Sequence, residues 1–161
     1  MNKFEIKSNF TEYNSLNELE DIEKKLIEEA IESSNYAYAP YSEFKVGAAI
    51  YLNNNEIIKG NNQENAAYPS GLCAERIAVF YANAHYPDVP ITKLAITASR
   101  KGKIVQKPIT PCGSCLQVLL ETQQRYKTNI EIILYGTEKI IKAPNVEQFL
   151  PMSFDLKSLK G

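Results

Sequence analysis

The chain has one histidine, three cysteines and a formal net charge of −1 over 161 residues. Each scarcity removes a class of function. Lys and Arg number 18 against 19 Asp and Glu, and no basic block interrupts that balance, so the footprint of a nucleic-acid binder is missing. No apolar run approaches the roughly 20 residues that cross a bilayer. The opening "MNKFEIKSNFTEYN" is polar and lacks the apolar centre of a secretory signal. These absences predict a cytoplasmic protein. Thiols stay reduced in that compartment, so the few cysteines are expected to be ligands, nucleophiles or buried spacers, not disulfides. Repeats and Pro/Gly/Ser linkers are absent too, which leaves a single domain over residues 1–161.

Apolar residues make up 44% of the chain, enough for a core at this length. Leu19, Ile22, Leu26, Ala30 and Ser33 recur at three- and four-residue steps and predict an amphipathic helix from Leu16 to Ala37, ended by Pro40. "FKVGAAIYL" (44–52), "NNNE" and "IIKGN" read as a strand, a turn and a short return strand. A second helix is expected from Cys73 to about His85, and a third from Cys115 to about Tyr126. "KLAITAS" (93–99) and "IEIILYG" (130–136) read as strands. "KFEIK" (3–7) alternates only weakly. A hairpin followed by alternating helices and strands predicts an α/β fold, a mixed sheet with helices on both faces.

Cys112 and Cys115 in "TPCGSCLQV" have the C-x-x-C spacing that puts two thiolates within reach of one metal ion. Thioredoxin-like redox chemistry shares that spacing but expects a strand directly before it. Here "KPITP" stands there, with two prolines in five residues. Cys73 begins a helix and is the candidate third ligand. The one histidine, His85, lies about 18 Å along that helix and cannot easily join. Three protein ligands leave a position open, the mark of a catalytic rather than a structural zinc. Both cysteine segments sit at helix starts, which favour thiolate. Arg76 is placed to hydrogen-bond the sulfurs, unless it is simply a surface arginine. Glu75 points away from a shared ligand role but can stand beside the open position as a proton carrier. Without the cysteines it would read as an ordinary helix-start carboxylate.

"CAER" followed by "PCGSC" resembles the zinc-dependent cytidine deaminases of free nucleosides. "AYAPYSEFKVGAAI" (37–50), "NQEN" (62–65) and "FLPMSF" (149–154) are similar to further segments of that family, in the same order from about Leu19 to Phe154. The resemblance implies a three-layer α/β/α sandwich around a five-stranded mixed sheet. It implies one zinc per subunit on Cys73, Cys112 and Cys115, with Glu75 shuttling protons. Asn62 and Glu64 would bind the ribose, Phe44 would line the pyrimidine pocket, and Ala74 would contact the substrate. Short-chain members are usually homotetramers in which a C-terminal phenylalanine, here Phe154, enters a neighbour's pocket. Two departures stand out. Leu116 occupies a position commonly held by arginine, and residues 1–15 extend beyond the common core as an added edge strand or a tail.

The implied reaction is hydrolysis of cytidine and 2′-deoxycytidine to uridine and 2′-deoxyuridine with loss of ammonia. A carboxylate at Glu64 accepts a sugar hydroxyl and repels a phosphate, which disfavours polynucleotides. Deaminases of aminoglycosyl-cytosine antibiotics share "CAE" and "PCG-x-C", but need not recognise a ribose. Polynucleotide deaminases typically carry His-x-Glu at the first ligand. A zinc-stabilised interaction module would need a fourth ligand and no Glu75.

Overall fold

Leu26, Ile27 and Ala30 are completely buried along one side of α1 (Asp21–Asn35). The apolar stripe read from the sequence therefore faces a core. The helix is shorter than its periodicity predicts. Ser15 Oγ accepts the Asn17 N–H and caps a separate 3-10 turn at Leu16–Glu18. Leu19 is then extended, and Glu23 Oε2 accepts the Glu20 N–H to start α1 afresh. At the far end the helix stops at Asn35, before Pro40, where Ser34 Oγ donates back to the Ile31 carbonyl. The computed structural model describes residues 1–155 and 158–159.

The remaining elements are β1 (Thr11–Tyr13), β2 (Phe44–Leu52), β3 (Ile57–Asn61), α2 (Ala74–His85), β4 (Ile91–Arg100), β5 (Lys103–Ile104), α3 (Gly113–Tyr126), β6 (Glu131–Tyr135) and β7 (Ile140–Ala143). The sheet runs β1-β7-β6-β4-β2-β3, with β5 paired to β4 off that path. Only β4 and β6 are parallel, joined through α3 as a parallel pair requires. The five expected strands form the centre of this mixed sheet, and the count rises to seven by two short additions. One is β5. The other is β1, which pairs antiparallel with β7 and covers an edge that would otherwise be open. So the N-terminal extension supplies an edge strand, although the weakly alternating residues 3–7 form none. Phe10 adds an edge-to-face contact with Phe149 at 5.1 Å between ring centroids.

The alternation of β2 separates the layers. Ala48, Ile50 and Leu52 face a core shared with α2 and α3, while Ala49 faces α1. This is the three-layer α/β/α arrangement. Among the described residues, no helix is long and apolar enough to cross a membrane.

Gly60 decides how close α2 comes to the sheet. A Cβ there would lie 2.2 Å from the Ala74 carbonyl oxygen and 2.7 Å from the Ala78 nitrogen, both backbone atoms that cannot step aside singly. Gly60→Ala is expected to push the first turn of α2 outward and destabilise the protein by about 3 kcal/mol. Zinc affinity should fall with it, because Cys73 and Glu75 ride on that turn. Thermal unfolding and zinc titration check both effects.

The α1 face carries a buried charge cluster. The Glu23 side chain is 1% exposed and takes Lys142 Nζ at 2.5 Å and Lys93 Nζ at 3.2 Å; Glu131 bridges the same two lysines. Burial alone would raise the Glu23 pKa. Hydrogen bonds, led by that from Lys142, outweigh burial and hold it at about 2, below its ordinary 4.5. A pKa depressed on folding adds stability above the unfolded value, and that stability is lost as pH falls toward the folded one. Glu23→Gln should therefore cost on the order of 3 kcal/mol at neutral pH. The gap between the two proteins should close between about pH 4.5 and pH 2. Denaturant unfolding across that range checks it; a gap independent of pH would mean Glu23 acts through shape alone.

Candidate active site

Cysteine carries little helix propensity, and two of the three sit where it costs least. Cys73 is the N-cap of α2 and Cys112 the N-cap of α3. α3 thus begins two residues earlier than expected, and Cys115 falls in its first turn. The two helix starts meet. Cys73 Sγ lies 3.8 Å from Cys112 Sγ, Cys112 Sγ lies 3.5 Å from Cys115 Sγ, and all three sulfurs lie within 4.8 Å of one another. Ligands about 2.3 Å from a tetrahedral zinc stand about 3.8 Å apart, so this donor set fits the ion. It is the group of metal-ligating side chains found among the described residues. His85 stands apart at the other end of α2, its ring stacked on Tyr81 and its Nδ1 2.9 Å from the Tyr81 carbonyl oxygen.

The electrostatics agree with a cation site. A hydrogen bond from Cys115 is the largest influence on Cys73 and, with Arg76 and Cys112, overrides burial to lower its pKa to about 5. The same bond, then burial and the nearby Glu75, pushes Cys115 upward. One thiolate is supported by its neighbours, and a divalent ion is what lets all three ionise together. Arg76 Nη2 lies 4.0 Å from Cys73 Sγ. Its Nε is buried with no hydrogen-bond partner. Glu75 is 4% exposed. Burial raises its pKa, and the Cys73 charge adds to that, while its own backbone N–H, Cys115 and Arg76 partly offset the rise.

Cys73 and Arg76 form the base of an open cleft of about 520 Å³. Asn62 and Glu64 stand on its wall, and Tyr41 and Tyr68 meet edge to face at its rim. The loop between β3 and α2 is tied by a reciprocal pair of backbone bonds, Gln63 N to Leu72 O at 2.9 Å and Leu72 N to Gln63 O at 3.0 Å. The Asn62 amide is already engaged: Oδ1 accepts the Val46 N–H at 2.7 Å and Nδ2 donates to the Phe44 carbonyl at 3.0 Å.

Other expected site residues lie further out. Ala74 is fully buried at the first position of α2. Phe44 does not line the cleft; its ring stands 5.5 Å from the Arg100 guanidinium, opposite which it pairs across β2 and β4. Phe154 is 60% exposed, and its carbonyl accepts the Gln117 amide at 2.9 Å. Leu116 packs into the core between α3 and the sheet. Two groups have no assigned role in the sequence motifs. Ser42 contacts Glu64, and Gln117 holds the C-terminal segment. The "PYS" segment was a signal for the first; nothing local marks the second.

Residues 20–130 match the family described as the cytidine and deoxycytidylate deaminase zinc-binding region. The chain is 34% identical to a cytidine deaminase of Halalkalibacterium halodurans, over 83% of this chain and 95% of that protein. It is 35% identical to one of Sporosarcina psychrophila, over 86% and 95%. A crystal structure of cytidine deaminase from Burkholderia pseudomallei superposes with a TM-score of 0.68 at 36% identity, covering 81% of this chain and 97% of that one.

Proposed function

The chain belongs to the cytidine and deoxycytidylate deaminase family, a family of zinc hydrolases, and from that membership we propose that it converts cytidine and 2′-deoxycytidine to uridine and 2′-deoxyuridine. Cys73, Cys112 and Cys115 hold the zinc. The ion, when bound, supplies Lewis acidity that brings the pKa of water near neutrality.

Glu75 carries the protons. It accepts one as water adds to C4 of the base and delivers it to N3; it then accepts the second water proton from the new C4 hydroxyl and passes it to the amino group, which leaves as ammonia. The net change is one water consumed and one ammonia released. Its buried position suits this work, because a carboxylate with a raised pKa is a stronger base than a surface one and takes up a proton from water more readily. Arg76 steadies the sulfur charge from outside the ligand set. Asn62 and Glu64 take the sugar, Ala74 backs the base from its buried place at the start of α2, and Phe44 acts from outside the cleft, through the carbonyl that the Asn62 amide holds. A carboxylate in the cleft wall also turns away phosphates, so nucleic acid is not a substrate.

The working state is a cytoplasmic homotetramer in which Phe154 reaches a neighbour's pocket. Its exposed ring on an anchored backbone supports that reading, and the three free thiols support a reducing compartment.

The observation that carries the proposal is the three-sulfur cluster with Glu75 buried beside it, reached through Cys73 from a cleft walled by Glu64. Zinc-loaded protein should remove the absorbance of both nucleosides. Turnover of blasticidin S instead would transfer the site to an antibiotic substrate. Four protein ligands by X-ray absorption, with no turnover, would leave an interaction module.

A further inference from the structure

Glu64 is not a free carboxylate in the cleft wall. Oε2 accepts two backbone donors, the Tyr41 N–H at 2.9 Å and the Ser42 N–H at 3.3 Å. Oε1 accepts the Ser42 hydroxyl at 2.5 Å. The Ser42 oxygen in turn accepts the Phe44 N–H at 3.0 Å. That places Ser42 between the carboxylate and the first residue of β2, the strand end that Asn62 also grips through Phe44 and Val46.

The division of these bonds matters. Both backbone donors hold the same carboxylate oxygen. The last torsion of a glutamate is broad, so two bonds to one oxygen leave the plane of the carboxylate free to turn. The Ser42 hydroxyl is the contact that fixes the second oxygen. A carboxylate offers about four acceptor positions, so three bonds leave about one for a ligand, in a direction the serine sets. The same bonds, the Ser42 hydroxyl foremost, lower the Glu64 pKa and keep it an acceptor.

We propose that Ser42 is a positioning residue for substrate selection: it touches no reacting atom, and acts by fixing the plane of the Glu64 carboxylate against a sugar hydroxyl. The inference rests on the reading of Glu64 as a sugar-binding group. Ser42 is exposed, so changing it disturbs no core.

The test compares 2′-deoxycytidine with 2′,3′-dideoxycytidine, which lacks the sugar-ring hydroxyls. Ser42→Ala should lower kcat/KM on deoxycytidine about tenfold through KM, with kcat within about twofold. On dideoxycytidine its kcat/KM should stay within about twofold of the parent. Ser42→Thr keeps the hydroxyl and should restore the preference. An equal loss on both nucleosides would show a distorted loop and overturn the proposal; no loss on either would show that the backbone donors suffice, with the same result. Glu64→Gln is measured alongside. If it loses equally on both nucleosides or on neither, Glu64 does not read the sugar and Ser42 falls with it, while turnover of deoxycytidine by the parent would leave the deaminase reading standing.

Discussion

Glu75→Gln is expected to keep its zinc and its fold and to lose turnover by about 10³- to 10⁴-fold, the range in which proton transfer by a positioned side chain contributes. Glutamine has the shape of glutamate, so the 4%-exposed site stays filled. It can accept the Glu75-position backbone N–H as the carboxylate does, but it cannot take up a proton and return it. The loss should fall on kcat more than on KM, because the group works in the transition state and not in the sugar wall. The rival role makes the opposite forecast. A carboxylate in the first turn of a helix contributes about 0.3–1 kcal/mol through the dipole. If Glu75 did only that, the glutamine protein would melt slightly earlier and turn over normally. Zinc content, thermal unfolding and cytidine kinetics on one preparation separate the two. Full turnover with full zinc would remove Glu75 from the chemistry.

What could be read from the chain divides by the distance over which each signal acts. α2 was legible almost to the residue, because its start, its apolar face and Pro87 beyond its end lie within one short segment. Periodicity makes α1 too long because Leu16 and Leu19 keep the helical phase while the backbone between turn and helix breaks. Periodicity records which side a residue buries, not whether the hydrogen bonds continue through it. The sequence leaves β1 open between strand and tail because a three-residue strand exists only through its partner, and that partner, β7, lies near the other end of the chain. The Glu23 cluster was invisible for the same reason: Lys93 and Lys142 stand 70 and 119 residues away.

The candidate site follows the same division. Two cysteines three residues apart state a metal hypothesis by themselves, and Arg76 lies three residues beyond Cys73, within helical reach of its sulfur. For Ser42 the sequence offers only its place in "PYS". Its partner Glu64 is 22 residues away, and a serine in a loop has many uses. The Asn62 amide shows a further limit. The motif marked the residue, but only the fold shows that both ends of its amide already brace β2.

Cys115→Ser is expected to reduce bound zinc from one equivalent to a small fraction and to take cytidine turnover below about 10⁻³ of the parent. The hydroxyl conserves the size of the buried side chain but is a poor ligand for an ion that prefers thiolate and imidazole. A bound ion would tie two helices together, since Cys73 starts α2 while Cys112 and Cys115 start α3, and losing this ligand would weaken that tie. An ion that binds only the folded chain stabilises it by mass action, so the melting temperature of the parent should rise with added zinc and fall with chelator. The serine protein should melt near the chelated parent and respond little to either. That comparison carries the inference, because serine itself could disturb the packing around Cys115. If it did, the serine protein would melt well below the chelated parent. If Cys115 acts through the metal, the two should coincide. His85→Ala is the matching control: its ring is occupied with Tyr81 at the opposite end of α2, so zinc content and turnover should not change. Loss of zinc there would mean that a fourth protein ligand closes the site, and a closed site has no place for the water on which the deaminase reading depends.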